Sequence, residues 1–471
     1  MKTLNVSKWI CCVLGVTLFF ASCRKRDAIL PDNYVIFETN SLGLSDNEES
    51  ATISVKLTRN TDREIPLIIK LKNSGLEYGT DYTTTPAANA SGEVNLSIPS
   101  GNNEAAIIVN KVPGALFDGD EKIDFEIYSS GSPVLIGNTK QFTLTFAELI
   151  ASDVEMVIDG GGATFPNKVF VDISANRQTA VLRTSWDLGF YMGADDYRVI
   201  LNSSAAMMAK QIDKNDLNAV TAADTVGFST EVAFSQTEPT PESVAYIDYP
   251  DGDLSKTAIA AVSTNATDNK VYIINRGQGV GIPAPQRGWK KVRIIRNASG
   301  GYTIQYADIN ATSFNTLDIA KDDSYFFKYI SFDNGPVNVE PQKDKWDIAW
   351  TYFSFVANFG QEVPYLFQDI VIQNRNVQVA KVMISAQSFE SFNEASLSNA
   401  ALNLTWNSSQ SAIGSDWRSG GGPGVSPAVR TDRYYIIKDG DNNYYKLRFT
   451  ALTKDGERGY PAFEAVLVKK G

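Results

Sequence analysis

The chain has 471 residues, and its 43 lysine and arginine residues against 54 aspartate and glutamate residues give a formal net charge of −11. It contains no histidine, which excludes catalytic triads and metal sites that depend on an imidazole. The acidic balance argues against nucleic-acid binding, which needs a basic patch.

The first residues indicate an export signal. Two lysines accompany a short apolar run over residues 10–20, which is too short to span a bilayer comfortably. We therefore expect residues 1–22 to be a cleaved signal peptide. Small residues stand directly before Cys23, a pattern that resembles the lipobox of bacterial lipoproteins, in which this cysteine becomes the lipidated first residue. An ordinary signal with a chance cysteine is the alternative.

Residues 30–150 have the pattern of a β-sandwich, because short alternating runs are separated by glycine and asparagine turns. Residues 77–82, with a Gly-Thr-Asp-Tyr turn, and residues 117–125, with a Gly-Asp-Glu stretch, resemble the Calx-β module. The resemblance implies calcium binding by carboxylates at one end of the sandwich. The matching residues are Glu38, Asp81, Asp118, Asp120 and Glu121. Alternatively, these acids only cap turns and solvate loops.

The remaining chain contains an internal repeat. The Trp-Asp pair at residues 186–187 recurs at residues 346–347, and the strand-like residues 271–277 recur as residues 434–440. Two independent pairs at nearly one offset indicate duplication. We expect two related β-rich units, residues 160–315 and 320–471. Helical periodicity is scarce, and residues 204–217 are the best candidate for a helix.

The second copy carries Tyr-Ile-Ser-Phe at residues 329–332 and Trp-Asp-Ile-Ala at residues 346–349. An Asp-Gly-Asp turn at residues 439–441 then leads into Lys-Leu-Arg-Phe-Thr at residues 446–450. These motifs resemble the HmuY family of haem-binding lipoproteins. The resemblance implies an all-β fold for most of residues 160–471 and a role in capturing haem outside the cell.

The axial ligands of that family are two histidines or two methionines, placed between the strand after the Trp-Asp motif and the closing hairpin. The matching stretches here, residues 212–268 and 396–430, contain no histidine, methionine or cysteine. No family ligand can therefore be assigned. The other candidates for binding haem are Met207, Met208, Met383, Met192, Tyr246 and Tyr249. Methionine is equally a core-filling residue.

An aromatic group in the second copy, comprising Tyr352, Phe353, Phe355, Phe359, Tyr365 and Phe367, could stack on a sugar or a porphyrin or pack a core. We expect an all-β protein with an N-terminal β-sandwich followed by two HmuY-like units, tethered to the outer membrane through its lipid anchor. The sequence is compatible with display on the cell surface and with a position on the periplasmic face of that membrane. The expected role is non-enzymatic binding of haem, haem proteins or a related small ligand. The alternative is a structural, adhesion or glycan-binding lipoprotein that does not bind haem.

Overall fold

The computed structural model describes residues 32–45, 48–113, 115, 121–146, 150–421 and 425–471. The chain divides into two units, Met1–Ala147 and Glu148–Gly471. The described parts of both units consist of β-strands with short helical turns, so the predicted all-β fold is confirmed.

The N-terminal unit is a sandwich of two five-stranded sheets, as predicted. Its strands are β1 (Tyr34–Phe37), β2 (Ser41–Gly43), β3 (Ser50–Leu57), β4 (Ile65–Ser74), β5 (Tyr82–Thr85), β6 (Glu93–Ile98), β7 (Glu104–Lys111), β8 (Lys122–Ser130), β9 (Leu135–Ile136) and β10 (Gln141–Thr145). One sheet has the order β5-β7-β3-β1-β9 and the other β2-β10-β8-β4-β6. Alternate residues of both sheets are buried in one apolar core, as the period of two in a strand requires.

The strands of the second unit are β11 (Asp153–Val157), β12 (Asn167–Asp172), β13 (Arg177–Leu182), β14 (Leu188–Tyr191), β15 (Val199–Leu201), β16 (Met208–Ile212), β17 (Val271–Asn275), β18 (Trp289–Arg296), β19 (Tyr302–Asp308), β20 (Asn315–Ile319), β21 (Phe327–Ser331), β22 (Gly335–Val337), β23 (Ile348–Asn358), β24 (Glu362–Gln373), β25 (Gln378–Met383), β26 (Arg418–Ser419), β27 (Ala428–Val429), β28 (Arg433–Lys438), β29 (Tyr444–Lys454) and β30 (Glu457–Lys469). Its helical turns are α1 (Phe228–Glu231) and 3-10 turns at Ser203–Ala205, Leu217–Ala219, Ala222–Thr225, Pro241–Tyr246, Leu254–Lys256, Ala266–Asp268 and Glu394–Ser398.

The helix predicted over residues 204–217 is wrong. This stretch forms β16 between two 3-10 turns, and β16 pairs antiparallel with β17. Tertiary pairing overrides the local periodicity because the two faces of this segment are buried in two different apolar clusters.

The described part of the second unit contains four larger sheets, which form two similar pairs. The five-stranded sheets have the orders β16-β17-β18-β19-β20 and β11-β30-β29-β28-β25. The four-stranded sheets have the orders β15-β14-β21-β22 and β13-β12-β23-β24. Each pair of one five-stranded and one four-stranded sheet encloses its own apolar core.

The sheets exchange strands between the two sequence repeats. Strand β12 of the first copy pairs with β23 of the second, and β21 of the second copy pairs with β14 of the first. Likewise, β11 precedes the first copy but completes the five-stranded sheet of the second. The strand pairing therefore crosses the predicted division near residues 315–320.

Each Trp-Asp motif stabilises the exchanged strands through an equivalent hydrogen bond. The carboxylate of Asp187 accepts a hydrogen bond from the backbone N–H of Phe332 (2.8 Å), next to the end of β21. The carboxylate of Asp347 accepts one from the N–H of Ile173 (2.7 Å), next to the end of β12. Both aspartates are buried, and each supplies an acceptor to a strand of the other copy.

The charges around the two aspartates differ. Asp187 is fully buried and forms a bidentate ion pair with Arg276, with N–O distances of 2.9 and 3.0 Å. A second arginine, Arg287, lies 2.9 Å from the same carboxylate. In this copy, therefore, the buried charge is compensated.

Asp347 has no such compensation among the described contacts. Burial raises its pKa well above the ordinary value, and the neighbouring carboxylates of Asp172 and Asp439 raise it further. In the sequence repeat, Asp439 falls at the position of Arg276. The duplicated motif thus pairs its aspartate with arginines in one copy and places it among carboxylates, which favour its protonated form, in the other.

We expect Asp187→Ala to lower the free energy of unfolding by about 3–5 kcal/mol, because it leaves the buried Arg287 without its carboxylate partner and Arg276 with Asp333 alone. The backbone N–H of Phe332 also loses its acceptor. Urea unfolding followed by circular dichroism measures this loss.

The matched change in the other copy, Asp347→Asn, keeps an acceptor for Ile173 and removes a carboxyl whose pKa is raised on folding. Such a group destabilises the fold as pH rises above its unfolded pKa, so we expect the stability of the variant relative to the parent to increase as the pH is raised above about 4. Equal losses of stability in the two variants, independent of pH, would contradict this account.

Candidate functional site

Met207 and Met208 point to opposite sides of the chain. Met207 is 1% exposed and lies in the core formed by β14 to β21, where its sulfur accepts a hydrogen bond from Arg287 (3.8 Å). Met208 is 2% exposed and packs with Phe228 in a separate cluster. Neighbouring strand residues face opposite sides, so the structure does not bring the two sulfurs to one ligand.

The other two methionines lie apart from these. Met192 is buried, and its sulfur accepts a hydrogen bond from the backbone N–H of Asp322 (3.3 Å). Met383 is half-buried at the end of β25. The three buried methionines therefore contribute to cores, and the four do not converge on a common site.

The two candidate tyrosines have different surroundings. Tyr246 packs against Phe228, with ring centroids 4.8 Å apart. The hydroxyl of Tyr249 donates a hydrogen bond to Glu362 (2.8 Å), which raises the pKa of the phenol. Because iron binds tyrosinate, this contact opposes ligation by Tyr249. Tyr249 nevertheless lines a groove, unlike Tyr246.

That groove lies between the β23–β24 hairpin and residues 411–420, with Arg430 at its side, and it has a volume of about 630 Å³. We call it the hairpin groove. Phe355 and Phe367 form its aromatic wall, with ring centroids 6.0 Å apart. Tyr365 stacks on Phe367 at 5.5 Å with an angle of 15° between the rings. The volume falls within the range of ordinary small-ligand pockets, about 300–1,000 Å³.

The aromatic wall exists because the second copy extends this hairpin. Strands β23 and β24 have 11 and 12 residues, whereas β14 and β15 of the first copy have 4 and 3. In the extension, Phe353 pairs with Phe367 and Phe355 with Tyr365 across the strands. Phe355 is 37% exposed and Phe359, at the tip, is 71% exposed. These two rings therefore do not serve only to pack a core.

The side of the groove formed by β25, residues 411–420 and Arg430 is polar. The carboxylate of Asp416 contacts Lys381 (3.0 Å), Arg430 (3.3 Å) and Arg433 (2.5 Å). Burial opposes ionisation of Asp416, but hydrogen bonds from Lys381 and Arg433 hold its pKa below the ordinary value. The side chains of Lys381 and Arg430 remain 48% and 41% exposed.

Cations outnumber carboxylates along the groove. Three basic side chains line it, those of Lys381, Arg418 and Arg430, against the two carboxylates of Asp251 and Asp416. These residues were not predicted, because no sequence motif marks them and Asp251 is far from the others in the chain. The arrangement suits a ligand with an apolar face and an anionic edge.

In the N-terminal unit, two of the predicted calcium ligands lie far apart. Glu38 follows β1 opposite Ser54, and Asp81 precedes β5 opposite Val112. Through the pairing of β3 with β7, the two positions are about six residues, or roughly 20 Å, apart along the strands. Glu38 pairs with Lys56 instead.

The rest of the predicted calcium site is only partly described. Asp118 and Asp120 lie outside the described residues, and Glu121 packs beside Gly75. Among the described residues, no group of three or more acidic side chains could hold a metal ion. Calcium binding stays a prediction.

The signal segment and Cys23 also lie outside the described residues. Within the part of the chain that the structure describes, no helix has the length and apolar character needed to cross a membrane.

Solved structures resemble parts of this chain only distantly. The apo form of the Calx CBD1 domain matches with 14% identity and a TM-score of 0.21, covering 25% of this chain and 97% of its own. A two-domain protein of unknown function from Bacteroides fragilis matches with 13% identity and a TM-score of 0.18, covering 45% and 82%. A putative carbohydrate-binding protein from Bacteroides ovatus matches with 10% identity and a TM-score of 0.18, covering 72% and 98%.

No curated protein sequence matches the chain. The family profile described as HmuY protein matches it twice, over residues 164–314 and 300–464. The two matches together span well over half of the chain and contain both Trp-Asp motifs, the sheet of β16 to β20 and the residues that line the hairpin groove. The chain is therefore a member of the HmuY family, with the family sequence present in two copies.

Proposed function

We propose that this protein is an extracytoplasmic, lipid-anchored binding protein without catalytic activity, which holds haem or a similar planar anion in the hairpin groove. The observation that carries the proposal is the aromatic wall of Phe355 and Phe367 facing the basic side chains of Lys381 and Arg430. Membership of the HmuY family supports haem as the ligand class.

A porphyrin matches this groove in two respects. Its flat apolar face can stack on the aromatic rings, which prefer offset or edge contacts with other π-systems. Its carboxylates can approach Lys381 and Arg430, which are already turned toward one carboxylate, that of Asp416. Charge-assisted hydrogen bonds of this kind fix orientation as well as adding affinity.

The iron contributes less than in a haem protein with strong axial ligands. Tyr249 is the one sequence-predicted ligand residue that lines the groove, and its raised pKa disfavours the tyrosinate form. We therefore expect enclosure and charge to supply most of the affinity, and we expect iron-free protoporphyrin IX to bind nearly as well as haemin.

The test is a titration of the purified protein with haemin and with protoporphyrin IX, followed by tryptophan fluorescence and porphyrin absorbance. We expect Phe355→Ala/Phe367→Ala and Lys381→Gln/Arg430→Gln each to weaken binding of both porphyrins by about tenfold or more, as expected for lost stacking and charge-assisted hydrogen bonds. Tyr249→Phe should leave the affinity for both porphyrins nearly unchanged, because the hydroxyl of Tyr249 already donates to Glu362.

Matched controls separate the groove from the rest of the surface. Phe359→Ala removes an exposed ring at the hairpin tip that does not line the groove. Lys70→Gln/Lys140→Gln removes two exposed cations from the N-terminal unit. If these controls lower porphyrin affinity as much as the groove variants, or if neither porphyrin binds, the groove is not a porphyrin site.

A second candidate function is glycan binding. The stacked pair of Tyr365 and Phe367 and the exposed Phe359 give the hairpin an aromatic face of the kind on which sugar rings stack. Glycan-array binding that is lost in Phe359→Ala, with no porphyrin affinity, would favour this alternative.

We propose anchoring to the outer membrane through lipid on Cys23, since small residues and an apolar run precede this cysteine. Cys23→Ser should remove labelling by a clickable fatty-acid analogue and shift the protein from the membrane fraction to the soluble one. Unchanged labelling of the variant would exclude Cys23 as the lipid site. Protease shaving of intact cells reports which face of the membrane carries the protein.

A further inference from the structure

A cavity lies between the two four-stranded sheets, where the sequence repeats exchange strands, and we call it the seam cavity. Both sheets line it, through Lys168 on β12, Tyr329 on β21 and Gln373 on β24. Both tryptophans of the Trp-Asp motifs, Trp186 and Trp346, line it as well. Its volume of about 60 Å³ holds several waters or the inner part of a larger ligand.

The seam cavity adjoins a polar depression, which we call the mouth. The mouth has a volume of about 310 Å³, at the lower end of the range for small-ligand pockets, about 300–1,000 Å³. All of the residues that line both spaces, except the glycine, have side chains that form hydrogen bonds. They are Gly252, Asp253, Gln373, Asn374, Arg375 and Gln410.

Both donors and acceptors at the seam cavity have no protein partner. The indole nitrogens of Trp186 and Trp346 are buried donors without a hydrogen bond, and one side-chain oxygen each of Glu340 and Gln373 is a buried acceptor without one. The four residues are 3%, 6%, 8% and 2% exposed, respectively. Buried polar groups are ordinarily satisfied by protein, water or ligand, so these atoms indicate an occupant that both donates and accepts.

Two more side chains have unused hydrogen-bonding capacity. Lys168 is 6% exposed, and no described residue accepts a hydrogen bond from its ammonium group. The backbone N–H of Gln410 donates to the carbonyl oxygen of Asp251 (2.8 Å), whereas its side-chain amide has no hydrogen-bond partner among the described residues. Free polar groups therefore continue from the seam cavity into the mouth.

The charged groups around the seam cavity nearly balance. Its cations are Lys168 and Arg375, and its acids are Asp248, Asp253 and Glu340. Burial raises the pKa of Asp248 and that of Glu340 to about 7, and burial lowers the pKa of Lys168 to about 8. Near neutral pH, two cations therefore face one ionised carboxylate and two that are partly protonated. This balance favours a ligand without net charge.

We infer that the seam cavity and its mouth bind one neutral sugar residue. A hydroxyl group both donates and accepts hydrogen bonds, as the unpartnered indole, amide and carboxyl atoms require. The apolar C–H groups of a sugar ring can pack on the aromatic lining, which includes Phe327, Tyr329 and Phe353. The mouth has room for the ring, and the seam cavity has room for the hydroxyl groups at its inner edge.

This inference goes beyond the porphyrin proposal, although the two sites adjoin. Tyr249 lines both the seam cavity and the hairpin groove, and Asp251 lines both the mouth and the groove. Gln410, Trp186 and Trp346 do not line the groove. Variants of these three residues therefore test the sugar site by itself, and porphyrin binding does not enter the test.

The test is a titration of the purified protein, labelled with ¹⁵N at the indole nitrogens, with glucose, galactose, mannose and N-acetylglucosamine. We expect at least one sugar to shift two indole signals together and to saturate them. Trp186→Phe and Trp346→Phe identify these signals by the loss of each. The Trp417 indole is the internal control, because it donates to the backbone oxygen of Asp369 (3.0 Å). Maltose and lactose show whether the site accepts the end of a glycan or a free monosaccharide alone.

Gln410→Ala should weaken binding of the sugar by about threefold or more, as expected for the loss of one hydrogen bond. The matched control is Gln361→Ala, which changes an exposed residue outside the seam cavity and the mouth and should leave the affinity unchanged. A crystal of the unaltered protein soaked with the sugar should show the ring in the mouth, and this measurement does not depend on the folding of a variant.

Three results would overturn the inference. The first is that none of the four sugars shifts the two indole signals in a saturable way. The second is that the seam cavity and the mouth hold only water after the soak. The third is that glucuronate, which carries a negative charge, binds more tightly than every neutral sugar.

Discussion

The fold of the second unit depends on the exchange of strands between its two sequence repeats. Strand β12 completes a sheet of the second copy and β21 completes one of the first. The residue after each exchanged strand donates a backbone hydrogen bond to the aspartate in the Trp-Asp motif of the other copy. The motif therefore stabilises the joint between the copies. The two cores and the start of the β23–β24 hairpin are positioned by this joint.

Duplication has allowed the two copies to diverge around a shared framework. One aspartate keeps two arginines as partners, and its counterpart lies among carboxylates. One copy has short strands after its motif, and the other extends them into the aromatic hairpin that walls the groove. The aromatic wall of the groove is thus a feature of the second copy alone, which explains why the motifs shared by both copies do not predict it.

Much of the architecture was predictable from the sequence because strand alternation and repeated motifs are local signals. The N-terminal sandwich and the Trp-Asp strands follow from them directly. The pairing of β12 with β23 was not predictable, since a repeat period does not tell which copy supplies a neighbour. The hairpin groove was even less predictable from the sequence than this strand pairing. Phe355 and Phe367 were recognised as aromatic candidates. Lys381, Asp416 and Arg430 could not be recognised, because they line the groove only once β25 and residues 411–420 have folded beside the hairpin.

The lack of histidine narrows how a member of the HmuY family could hold haem, and the buried methionines do not replace the family ligands. The lining of the hairpin groove therefore suggests that stacking and charge supply most of the affinity for haem and that iron coordination contributes little. The most direct test is a crystal structure of the protein with protoporphyrin IX bound. The account predicts the macrocycle against Phe355 and Phe367 with its carboxylates at Lys381 and Arg430. A porphyrin bound outside the hairpin groove, away from Phe355 and Phe367, would contradict it.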